Sequence, residues 1–81
     1  MEVQLSQLKP GMIGLVVSIA GGQGLRQKLA LRGIREGSWV RVISSLRGPV
    51  VVECRENPRS SGNVVALGRG IAQKITVRVG W

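Results

Sequence analysis

The side chains in this sequence that could do chemistry are few and of a narrow kind. The carboxylates are Glu2, Glu36, Glu53 and Glu56, the only thiol is Cys54, and histidine and aspartate are absent. A Ser-His-Asp or Cys-His nucleophile therefore cannot be assembled. A cage for a hard cation, built on several carboxylates, is also out of reach. A tetrahedral zinc site needs about four Cys or His ligands, and this chain has one. No catalytic residue, cofactor-binding residue or metal ligand set emerges. The expectation is a binding domain without a cofactor, not an enzyme. Cys54 falls on the expected inner face of a strand, where a free cysteine packs as a small hydrophobe. Flanked by Glu53 and Arg55 alone, it would hold a soft metal only weakly. One cysteine also excludes an internal disulfide, which suits a reducing cytosol.

Positive charge, by contrast, is abundant. Twelve Lys and Arg against four Glu give a net charge of +8. That balance favours an acidic partner: a nucleic acid, an anionic membrane surface or an acidic protein face. Arg32, Arg35 and Arg41 fall on a helix end, a turn and the following strand, and are candidates for one basic partner-binding side. The alternative is an ordinary solvated surface. Trp39 opens that strand on its expected outer face. It is either a surface anchor, since Trp and Arg are enriched at interface hot spots, or a lid over one end of the core. Phe and Tyr are absent and the only other tryptophan is Trp81, so the stacking platform of a single-strand nucleic-acid binder is nearly missing. No zinc-finger, helix-turn-helix or RNP-type motif is found. Nucleic acid is thus the less favoured partner. The Gly21–Gly24 stretch lacks the Gly-Lys-Ser/Thr ending of a phosphate loop and reads as a turn.

The elements that must position these residues are short and punctuated by glycine and proline. With 81 residues, a single domain over 1–81 is expected. Twelve valines and six isoleucines favour strands. An arm runs to Pro10-Gly11. A strand follows over 12–20, with Ile13, Leu15, Val17 and Ile19 on one parity and expected inside. Leu25 to Arg32 reads as a helix with Leu25 and Leu29 on one face. Gly33 sits at the left-handed position after it, and Ile34 can pack back on Leu29 as in a Schellman ending. Gly37 belongs to the next turn. Further strands are expected over 39–44, 50–56, 63–67 and 75–79. An exposed loop is expected at Asn57–Gly62, and a bend or helical turn at Gly68–Lys74. About five strands and one short helix suggest a mainly β, SH3-like barrel, with an OB-fold as runner-up. Apolar runs are short, as in Val50-Val51-Val52, so no membrane insertion is expected. Met1 to Pro10 lacks the apolar block of a secretory leader. Together these point to a cytoplasmic protein.

The order of segments resembles the bacterial ferrous iron transport protein A (FeoA) family from Leu5 to Val79. Leu5-Ser6-Gln7-Leu8-Lys9-Pro10-Gly11 is similar to the family's opening Leu-x-x-Leu-x-x-Gly. Lys28-Leu29-Ala30-Leu31-Arg32-Gly33-Ile34-Arg35-Glu36-Gly37, followed by Val40-Arg41-Val42, is similar to its helix, Gly-Ile turn, second glycine and strand. Val64 to Val77 looks like its closing strand, bend and Ile-x-Val strand. Arg32 stands where an apolar residue is frequent, and Glu36 where proline is common. The resemblance implies an SH3-like fold and a role beside the FeoB-type ferrous iron transporter, a membrane protein with a cytoplasmic GTP-binding part. It also implies an association with a transition metal and no transferable catalytic residues. Two further readings are a basic nucleic-acid-binding module and a free-standing relative of the SH3-like domain that ends some metal-dependent repressors. Oligomeric state is not readable from the sequence.

Overall fold

Alternating β-branched residues form six antiparallel strands. The computed structural model describes residues 1–56, 59 and 62–80. In chain order the elements are β1 (Glu2–Gln4), a 3-10 turn (Leu5–Gln7), β2 (Ile13–Ile19), α1 (Gln23–Leu31), β3 (Trp39–Ser44), β4 (Val50–Arg55), β5 (Asn63–Leu67), α2 (Arg69–Ala72) and β6 (Ile75–Arg78). The strands make one sheet in the order β1-β6-β2-β3-β4-β5. Six flat strands at about 4.8 Å spacing would form a thin ribbon roughly 29 Å wide. The molecule measures 28 × 27 × 24 Å, so the sheet curls around its inner face.

That face carries the core. Val40 and Val42 of β3, Val50 and Val52 of β4, and Ile75 and Val77 of β6 are fully buried, at the every-second-residue spacing that a pleat imposes. Leu5, Leu8 and Ala72 are buried too, where the 3-10 turn lies beside α2.

The mainly β fold agrees with expectation, and the helical turn expected within Gly68–Lys74 is α2. Three details differ. There are six strands rather than about five, because the N-terminal arm contains β1, which pairs with β6 through Val3 and Val77. Three residues are too short to show alternation. α1 begins at Gln23, ahead of Leu25. The largest correction concerns β2. Gly14 and Val16 face inward, while Ile13 is exposed and Leu15 and Val17 are half-buried on the outer face. The register with β6 shifts between Val16 and Ser18. This bulge makes Val17 an extra residue and returns Ile19 to the interior, as an inserted residue does in an antiparallel ladder. Hydrophobicity alone chose the wrong parity because β2 is apolar on both faces. Of the loop expected at Asn57–Gly62, residues Asn57, Pro58, Ser60 and Ser61 lie outside the described residues, as does Trp81.

Candidate partner-binding surface

The end of α1 sets the geometry of the site. The Gly33 N–H donates to Ala30 O at 3.0 Å and the Ile34 N–H to Leu29 O at 2.9 Å, the paired bonds of a Schellman ending. Gly33 has φ +90°, and Ile34 and Leu29 are both buried in the core. The chain then makes a tight turn over Arg35–Ser38, closed by the Ser38 N–H donating to Arg35 O at 2.9 Å. Gly37, its third residue, has φ +96°, the conformation that such a turn reserves for glycine. Ser38 is the buried polar residue here. Its hydroxyl donates to Gly33 O at 3.0 Å and accepts from the Arg35 N–H at 3.2 Å. The turn is tied to β2 by Gly37 N–H to Val16 O, 2.8 Å, and Val16 N–H to Ser38 O, 2.9 Å. Arg26 of α1 completes the clamp, donating to Ile19 O at 3.0 Å and pairing with Glu36 at 2.8 Å.

A groove of about 690 Å³ opens between this turn and the ends of β4 and β5, with Gly33, Arg35, Cys54, Arg55 and Asn63 on its walls. Cys54 is nevertheless 5% exposed. Burial, with a smaller effect of the Glu53 charge, pushes its thiol up to about 11, so it is a neutral thiol at physiological pH. Gly62 closes in on the same strand, since a Cβ there would coincide with the Cys54 carbonyl.

On the outer face of the sheet, cross-strand register aligns Glu2, Arg78, Leu15, Trp39 and Arg55 in one row. A second row holds Ile13, Arg41, Glu53 and Val64. Trp39 is half-buried in the first row, between Leu15 and Arg55, and does not close the end of the core. Arg78 pairs with Glu2 at 3.1 Å. Arg55 pairs with Glu53 at 2.5 Å, and its Nε donates to the same carboxylate at 2.7 Å. That hydrogen bond holds the Glu53 carboxyl below the usual carboxylate range, against some desolvation, with help from the charges of Arg55 and Arg41.

The four candidate residues thus occupy two neighbouring regions. Arg32 caps α1 and is exposed. Arg35 is exposed and lines the groove. Trp39 and Arg41 stand on the outer sheet face, two residues apart, and Arg41 is exposed between Ile13 and Glu53. Sequence reasoning passed over Ser38, since a serine beside a glycine turn gives no sign of burial. It did not anticipate the Glu53–Arg55 pair either, although the parity of β4 had placed both residues on one face.

The donor set does not suit a resident metal ion. Among the described residues no three His, Cys, Asp or Glu side chains come together, Cys54 is buried and protonated, and Glu53 is held by Arg55.

The sequence matches the FeoA domain family over residues 3–79. The chain belongs to the FeoA family. A protein of Methanocaldococcus jannaschii named "Putative Fe(2+) transport protein A" is 37% identical to it over 73 residues, 90% of this chain and 82% of that one. A crystal structure of an iron uptake regulatory protein (FeoA) superposes with a TM-score of 0.83 at 37% identity, covering 96% of this chain and 97% of the other. The FeoA fold is SH3-like and mainly β, in agreement with the six-stranded sheet seen here. A manganese-dependent transcriptional repressor in complex with manganese also superposes, with a TM-score of 0.80 at 30% identity. It matches 95% of this FeoA-family chain but only 36% of the repressor.

Proposed function

We propose that this domain is a cytoplasmic accessory protein of ferrous iron uptake that acts without catalysis, by docking on the cytoplasmic part of the FeoB-type transporter and regulating it. The family match over residues 3–79 carries this reading. The local geometry supports a docking face made of Trp39, Arg41 and Arg35. Trp39 is half-buried on a strand of the sheet, and the exposed residues Arg35 and Arg41 lie on either side of it in sequence. Trp and Arg are the side chains in which interfaces concentrate their energy, and they are preorganised here by strand and turn. Iron is the cargo of the transporter in this reading, so the domain needs no ligand set of its own.

The test is a titration of the transporter's cytoplasmic part by tryptophan fluorescence and calorimetry at physiological salt, run beside generic DNA and RNA. Saturable binding to the transporter is expected. It should weaken about tenfold or more in an Arg35→Glu, Arg41→Gln double variant with an unchanged unfolding midpoint. Glutamine is chosen at 41 because a carboxylate there would face Glu53 across the strands. Binding only to nucleic acid, falling steeply with salt, would replace this reading with the nucleic-acid one.

A further inference from the structure

Three exposed aliphatic side chains share one end of the molecule, while Leu31, Met1 and Val64 are exposed elsewhere. Leu46 is 84% exposed, Ile43 45% and Met12 38%. The backbone brings them together: the Gly11 N–H donates to Val42 O at 2.7 Å and the Val42 N–H to Met12 O at 3.0 Å. These bonds set the Lys9–Met12 loop beside the end of β3. Ile43 is the extra residue where the β3–β4 register shifts, and Leu46 follows in the connection to β4. That connection is anchored from beneath. The Ser45 hydroxyl donates to Leu8 O at 3.3 Å, and the half-buried Arg69 guanidinium donates to Ser45 O. Leu46 is therefore held outward on a supported loop.

The charges at this end have one sign. Segments 8–12, 43–49 and 68–70, which these bonds join, contain Lys9, Arg47 and Arg69 and no carboxylate. Glu36 and Glu56 sit beyond the Trp39 end of β3, about 17 Å along the strand. Glu2 and Glu53 are engaged with Arg78 and Arg55.

We propose that this end of the domain rests on an anionic phospholipid surface, with Leu46, Ile43 and Met12 entering the headgroup boundary and Lys9 and Arg47 meeting the headgroup phosphates. Exposed aliphatic side chains beside basic ones suit an interfacial layer, which bends around them and requires no matching shape. A protein partner would favour aromatic anchors and a pocket, and the groove beside Arg35 lies at the opposite end. The net charge of +8 draws the whole domain toward a negative leaflet. Contact is peripheral, since among the described residues no helix is long and apolar enough to cross a membrane.

Flotation with protein-free vesicles tests this independently of any transporter. At physiological salt the domain should bind vesicles of phosphatidylcholine mixed with phosphatidylglycerol, and not phosphatidylcholine alone. A Lys9→Gln, Arg47→Gln double variant should lower the partition constant roughly 25-fold, at about fivefold per basic residue. Leu46→Ser should lower it about tenfold through lost aliphatic burial. An Arg32→Gln, Arg35→Gln variant, with the same change in net charge, should lower it less than about threefold. Matched thermal midpoints would establish that these surface variants remain folded. Three results overturn the proposal: no binding to the mixed vesicles, equal losses in the two charge-matched doubles, or a Leu46→Ser effect confined to binding of the transporter's cytoplasmic part. The last would make this end a protein contact.

Discussion

Gly14 of β2 lies directly against Val77 of β6. A Cβ built on Gly14 would stand 2.9 Å from Val77 Cβ and 3.3 Å from Val79 Cγ1. Val77 is fully buried, and its Cβ is fixed by the backbone, so no change of rotamer moves it aside. Gly14→Ala should therefore act as overpacking and cost about 1–3 kcal/mol, read as a lower urea midpoint at unchanged slope. A neutral Gly14→Ala would mean that β2 and β6 can separate locally.

Gly33 presents the opposite problem. A Cβ there meets only Cys54 Cβ at 3.8 Å, an ordinary contact, but its φ of +90° is poor for any β-branched residue. Gly33→Val should destabilise by about 2 kcal/mol through backbone strain. Chemical denaturation measures it. An unchanged midpoint would show that the α1 ending is not under this constraint.

The Glu53–Arg55 pair makes a pH prediction. The folded-state pKa of Glu53 is lowered from 4.5, chiefly by the Arg55 hydrogen bond. Such a group contributes stability that is present above about 4.5 and is lost as pH falls through the folded value. In Arg55→Met the Glu53 carboxyl should titrate closer to 4.5, observable by NMR. The stability gap between the two proteins should narrow as pH drops below that point.

Cys54 should be inert in the native state. With its pKa pushed up to about 11 from 9.0, its thiolate is about a hundredfold scarcer than that of a free cysteine near neutral pH. Labelling with dithionitrobenzoate at mildly alkaline pH should be at least about 100-fold slower folded than in urea, which makes the thiol a probe of opening. Rapid native labelling would show that the groove reaches the sulfur.

Much of this structure was readable from residue order, for identifiable reasons. β6 carries apolar residues on one parity only, at Ile75 and Val77, and β3 and β4 set charged residues opposite their buried valines, at Arg41, Glu53 and Arg55, so their inner faces were legible. The end of α1 was legible because Leu29, Gly33 and Ile34 stand at the intervals that a Schellman ending needs. β2 was misread because Ile13, Leu15 and Val17 outweigh Gly14 and Val16 in hydropathy, while close packing against Val77 decides the orientation. β1 was missed because its three residues are held by pairing with β6, a contact across nearly the whole chain. Trp39 could not be placed from sequence, since its environment is made by Leu15 and Arg55 on other strands.

The pairing of β1 with β6 has a further consequence. Glu2 and Arg78 are 76 positions apart in sequence, and β6 is also the strand that β2 needs as its second neighbour. A ribosome must therefore release almost all of these residues before β1 or β2 can acquire its full set of ladder bonds. Sheets dominated by such distant pairings have high contact order and fold in milliseconds to seconds, where local helical bundles take microseconds to milliseconds. During synthesis, β3 and β4 can pair as a hairpin early. The apolar strand β2 waits with both faces exposed, and this interval is when the nascent chain most needs shielding by chaperones.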